Sequence, residues 1–111
     1  MAKPTAQQCH AATTYYVTKH QELLGFAPVV NRNKARYGFE GILMDYSPSE
    51  TREIIDHYLA HYDKPNLEWF FYNYDKVVVA MEEYIEEQEA QQKRREATAQ
   101  RLQEWRSRWK K

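Results

Sequence analysis

The 111-residue chain is short of the residues that punctuate β-rich folds: it has three glycines and four prolines. A turn-dense sandwich or barrel is disfavoured on that ground. It has one cysteine, Cys9, so no internal disulfide can form and a stapled secreted scaffold is excluded. It has no net charge, because 16 Lys and Arg balance 16 Asp and Glu; no global field announces a nucleic-acid partner. It has no long apolar run either. The longest, residues 69–72 and 77–81, fall far below the ~20 residues of a spanning helix. No apolar stretch follows Met1-Ala2-Lys3-Pro4, so no leader peptide is expected. Together these absences predict a small soluble protein of the cytoplasm with no membrane partner.

What is present in quantity is aromatic: nine Tyr, three Trp and four Phe. Such bulk can build a core in a chain the size of one small domain. The periodicity predicts an all-α fold, a small helical domain of about four helices with a long projecting C-terminal helix. The first helix covers about 5–24: Thr5 and Gln8 match a capping box, and Gly25 is a suitable stop. The β-branched and aromatic stretch at 13–18 leaves a short strand open as an alternative. A loop at 25–32, holding Pro28, leads to a second helix from about Asn33 to Tyr46. Ala35, Phe39, Ile42, Leu43 and Tyr46 form its apolar face, while Gly38 and Gly41 weaken it or permit close packing.

Ser47-Pro48-Ser49-Glu50 starts the third helix with an N-cap serine, a proline at the first helical position and a glutamate three after the cap. Its apolar face is Ile54, Ile55, Tyr58, Leu59 and Tyr62. In the fourth segment Asn66 is the cap, and Leu67, Phe71, Tyr74, Val78, Met81 and Ile85 form a seam at heptad spacing. A break near Asn73 is open. The seam fails at Gln88, Gln92 and Arg95, and apolar residues return at Leu102, Trp105 and Trp109. The expected organisation is an N-terminal helical segment (1–25), a helical core (26–85) and a projecting charged helix (86–111).

Charge is sorted along that last segment. Residues 82–89 hold five glutamates and no base; residues 93–111 hold eight bases and two acids. The zero total hides an acidic collar followed by a basic end.

No motif for catalysis stands out. Cys9 and His10 are merely adjacent, and no phosphate loop or nucleophile elbow occurs. His57 and His61 sit one helical turn apart and could supply two metal corners, with Asp56 and Asp63 nearest; two surface histidines are the plainer reading. No cofactor, metal or enzymatic activity is expected. Two stretches point to binding. Asn31, Arg32, Lys34, Arg36 and Tyr37 lie where a loop meets a helix, where free N–H groups favour an anion. The bases and amides there would contact nucleic-acid phosphates, and Tyr37 would stack on a base; ordinary solvated bases on a capped helix are the alternative. At the C-terminal end Leu102, Trp105 and Trp109 share a helical face, flanked by Arg106 and Arg108. That face suits a protein groove, single-stranded nucleic acid or an acidic membrane surface, the last a weak anchor for one short stretch; self-association through the long helix, or return packing onto the body, is the alternative. The aromatics at 69–74 cover more than one face, mostly core with a remainder free for a partner.

Several words of the sequence resemble a type of small protein from tailed bacteriophages. They are the run from Pro28 to Phe39 (PVVNRNKARYGF), then Leu43-Met44-Asp45-Tyr46, Ile55-Asp56-His57-Tyr58, and the run from Trp69 to Lys76 (WFFYNYDK). The resemblance covers about half the chain. It implies a replication accessory factor, similar to helicase loaders, and brings no catalytic residue with it. The expected function is therefore a non-enzymatic phage DNA-replication accessory factor in the host cytoplasm, with DNA and a replisome protein such as a helicase as partners. The alternative is a protein-interaction module, a host-enzyme inhibitor or an assembly factor, with no nucleic-acid role.

Overall fold

The computed structural model describes residues 3–109. Among them there are four helices and no strand: α1 (Ala6–Leu24), α2 (Arg32–Asp45), α3 (Pro48–His61) and α4 (Leu67–Trp109). The chain divides into two units, residues 1–78 and 79–111. That division differs from the one expected. The N-terminal helix is no separate segment, because its face of Cys9, Ala12, Thr13, Tyr16 and His20 is buried. The body ends at Val78 rather than at Ile85, which is 46% exposed.

The helix starts follow from local chemistry. Thr5 Oγ1 accepts from the Gln8 amide and Gln8 returns the bond to the Thr5 amide. Ser47 and Glu50 do the same at α3, behind a proline. Each box satisfies donors that would otherwise be unpaired in the first turn. The strand alternative at 13–18 is not realised: Thr13 is buried in α1 with its hydroxyl donating to the Cys9 carbonyl one turn back. Gly25 ends α1 at φ 83°, a left-handed conformation that favours glycine.

The core of the body is aromatic and aliphatic. Tyr16, Phe39, Ile42, Ile54, Ile55, Tyr58, Phe70 and Val77 are all at most 1% exposed. Burying each such side chain contributes about 1.5–3 kcal/mol. Tyr58 packs on Phe70 with ring centroids 4.8 Å apart. Its hydroxyl donates to the Asn66 carbonyl (3.1 Å) and accepts from the Asn66 amide (2.8 Å), so α3 holds the residue from which α4 begins. Tyr15 joins α1 to α3 by donating to both carboxylate oxygens of Asp56, at 2.7 and 2.9 Å. Tyr74 donates to Asp45 at the end of α2.

One expectation for α4 needs correction. The core-facing residues are Phe70, Val77 and Val78, while Leu67, Phe71 and Tyr74 of the heptad seam are half-buried. Phe70 and Val77 stand seven residues apart and so share one face. At Asn73 the backbone leaves the helical region (φ −129°, ψ 16°), and the side-chain amide donates to the Trp69 carbonyl (2.9 Å). Gly38 does permit close packing, since a Cβ at that position would overlap the Phe71 ring; Gly41 meets nothing. Among the described residues no helix is long and apolar enough to cross a membrane.

Candidate functional site

The five residues expected to form one anion-binding patch are all exposed, but they do not act as one. Asn31 is the N-cap of α2. Its side-chain oxygen accepts from the Asn33 and Lys34 amides at 3.1 and 3.3 Å. The free N–H groups that favoured an external anion are thus partly satisfied by the chain's own oxygen, and α2 starts one residue before the expected Asn33.

The remaining residues separate by helical geometry, because side chains one turn apart share a face and side chains two apart do not. Arg32 and Arg36 line a groove of about 490 Å³ between α1 and α2, together with Asn33, Ala6, Gln7, His10 and Thr13. Arg32 Nη1 donates to Thr14 Oγ1 at 3.3 Å and stands 3.4 Å from His10 Nδ1. Lys34 and Tyr37 face away from this groove. They line a larger cleft of about 900 Å³ with Asn31, the loop residues Pro28, Val29 and Val30, and Leu67, Glu68, Phe71 and Tyr72 from the start of α4.

Electrostatics favour the arginine groove. Glu40, one turn beyond Arg36, is engaged by Lys3 at 3.2 Å. Among the described residues Arg32, Lys34 and Arg36 form no ion pair. Two guanidinium groups one turn apart therefore share a groove with no carboxylate partner among the described residues, an arrangement suited to successive phosphate oxygens. The buried neighbour Cys9 contributes nothing nucleophilic. Burial, and then Glu40, push its thiol up despite the opposing pull of Arg36, and a thiol held protonated is inert.

The larger cleft was not anticipated. Its lining includes exposed apolar residues from the loop, α2 and α4: Val29 is fully exposed, Tyr37 is 72% exposed and Tyr72 is 82% exposed. Of the aromatics at 69–74, Phe70 is buried, Phe71 and Tyr74 are half-buried, and Trp69 and Tyr72 are exposed. The expectation that most of them are core is therefore corrected: Phe70 alone of the five is fully buried.

In the second unit Leu102, Trp105 and Trp109 lie on one helical face, 50%, 58% and 75% exposed. The two indoles stand 5.7 Å apart, centroid to centroid. Arg106 and Arg108 are exposed beside them, and Lys110 and Lys111 of the basic end lie outside the described residues.

His57 and His61 stack at 4.2 Å, and His61 Nδ1 lies 3.0 Å from the His57 carbonyl oxygen. Burial and then the neighbouring His61 hold the His57 pKa below its ordinary value. Asp56, the nearest candidate for a third metal ligand, is taken by Tyr15. Among the described residues no group of three or more His, Cys, Asp or Glu could hold a metal ion. Comparisons of the chain with protein-family models, with curated proteins and with solved structures find no match.

Proposed function

We propose that this chain is a non-enzymatic accessory factor of DNA replication in a tailed bacteriophage, acting in the host cytoplasm. In this reading the body holds DNA phosphates through Arg32 and Arg36, with Asn31, Lys34 and Tyr37 bordering the contact from the adjoining face. The 79–109 segment presents Leu102, Trp105 and Trp109, flanked by Arg106 and Arg108, to a replisome protein such as a helicase. The observation that carries the DNA half is the pair of guanidinium groups one turn apart in the α1–α2 groove, free of carboxylate partners, while the nearby Glu40 is neutralised by Lys3. The exposed indole pair supports the protein half, since exposed tryptophan is enriched where proteins meet.

The test is a salt titration of binding to short single- and double-stranded DNA, read by fluorescence anisotropy. The expected result is affinity that falls linearly on logarithmic axes with salt, and a slope reduced by about one for each arginine removed in Arg32→Ala and Arg36→Ala. Undetectable binding at low salt, or a slope unchanged in the double variant, removes the DNA half. The alternative of a protein-interaction module without nucleic acid is favoured by one observation, the apolar cleft at Val29, Tyr37 and Tyr72. It would be preferred if DNA binding were absent.

A further inference from the structure

From Glu82 to Trp109 every side chain is exposed. A helix this exposed draws no stability from packing, and propensity alone leaves an isolated helix marginal. Its own side chains add little. Gln92 donates to Glu96 at 3.2 Å, and no ion pair forms between residues 79 and 109. Glu82 with Glu86, and Glu83 with Glu87, are like charges one turn apart and oppose the helix. Yet the segment is helical through Trp109.

Neutralising charge exists in the same segment but mostly beyond the reach of a single helix: Lys93 stands one turn from Glu89, and most of the other bases lie farther on. The centre of the glutamate block at 82–89 and the centre of the basic block beyond 93 are about 16 residues apart. On a continuous helix that is about 24 Å, against a screening length of ~8 Å at physiological salt. A second, reversed copy of the segment would bring the bulk of the two blocks together.

We propose that the 79–109 segment pairs antiparallel with the same segment of a second copy of this chain. Reversal lays residues 82–89 of one copy along residues 100–107 of the other, where Arg101 and Arg106, with Arg108 just beyond, outnumber Glu104. Parallel pairing would set five glutamates against five glutamates, so charge selects the direction. The apolar residues obey the same reversal. With the axis near residue 94, Tyr84 and Ile85 of one copy come level with Trp105 and Leu102 of the other; these are 42%, 46%, 58% and 50% exposed in the single chain. Between them Ile85, Gln88, Gln92, Arg95, Ala99 and Leu102 repeat at alternating steps of three and four. That is a heptad seam with apolar ends and a polar middle, and polar layers fix register at some loss of stability. This pairing goes beyond the replication reading and needs no DNA. Because it uses the face offered to a replisome protein, pairing and docking compete.

The experiment is sedimentation equilibrium of the full chain over a wide concentration range at low and high salt. The expected result is a concentration-dependent dimer that weakens as salt rises; a monomer throughout at low salt overturns the proposal. Glu82→Lys with Glu83→Lys, and Arg106→Glu with Arg108→Glu, change exposed positions only. Each double variant alone is expected to dimerise about tenfold more weakly, and an equal mixture of the two to regain pairing; a mixture as weak as its components overturns the proposal. Direction is read with Gln91→Cys and Thr98→Cys chains, whose mixed disulfide should form faster than the Gln91→Cys disulfide with itself. The reverse order means a parallel pair and also overturns it. DNA titration of the Arg32 and Arg36 variants reports on the replication reading separately.

Discussion

Residues 3–78 and residues 79–109 use the same aromatic vocabulary to opposite ends. In the first unit Tyr16, Tyr58, Phe39 and Phe70 are sealed, and Tyr58 also closes a chain reversal through its hydroxyl. In the second, Tyr84, Trp105 and Trp109 are 42%, 58% and 75% exposed. The difference teaches that aromatic content alone does not locate a core. Aromatics become core where several helices converge on them, and stay exposed where one helix carries them among charged residues.

That contrast can be broken most directly by truncating one aromatic in each unit. Phe70→Ala, which opens a cavity among Tyr16, Tyr58 and Phe71, should lower the unfolding free energy by about 3–5 kcal/mol in urea denaturation. Trp105→Ala should change the unfolding of the body by less than about 0.5 kcal/mol. Equal effects would mean that the two units are not independent. A sharper comparison lies within the body, at its two α2 glycines. Gly38→Ala forces a methyl against the Phe71 ring and should cost about 1–3 kcal/mol. Gly41→Ala meets open space and should gain about 0.5–1 kcal/mol through helix propensity. Thermal melts of both variants check the opposite signs.

Smaller still is the cap. Asn31→Ala should cost about 1 kcal/mol, visible in the same melts, because two amides lose their acceptor. If the residue served only an external phosphate, stability would not change. The smallest effect is that of pH. His57 is held below its ordinary pKa by burial and then by His61, so the unfolded chain takes up its proton at higher pH than the folded one. Stability is therefore full above the ordinary histidine range and declines as pH falls through it, from about 7 to 5. His57→Gln should flatten part of that decline, measured as melting temperature against pH.

The helix boundaries were legible because their determinants are local. Thr5 with Gln8, Ser47 with Glu50, and Gly25 each act within one turn of chain. The face of α3 was legible for the same reason, since Ile54, Ile55, Tyr58 and Leu59 repeat at helical spacing and are buried. What local pattern does not carry is which face meets which neighbour. Arg32 and Lys34 are close in sequence, yet one borders α1 and the other borders the start of α4. Asn31 read as a phosphate contact because amides suit both anions and caps; only the backbone path shows that its oxygen turns back on α2. In α4 the buried set holds Phe70 and Val77 in place of Phe71 and Tyr74; both pairs fit a heptad-type seam, so periodicity alone does not choose between them.

The Tyr58 hydroxyl has one more consequence. Because it grips both the carbonyl and the amide of Asn66, closure of the bend between α3 and α4 is assigned to a side chain anchored in the core, and the exposed Asp63 and Lys64 that span the bend are relieved of it. A residue inserted beside Lys64, or a tag spliced in there, would lengthen the bridge while both of its abutments stayed where they are.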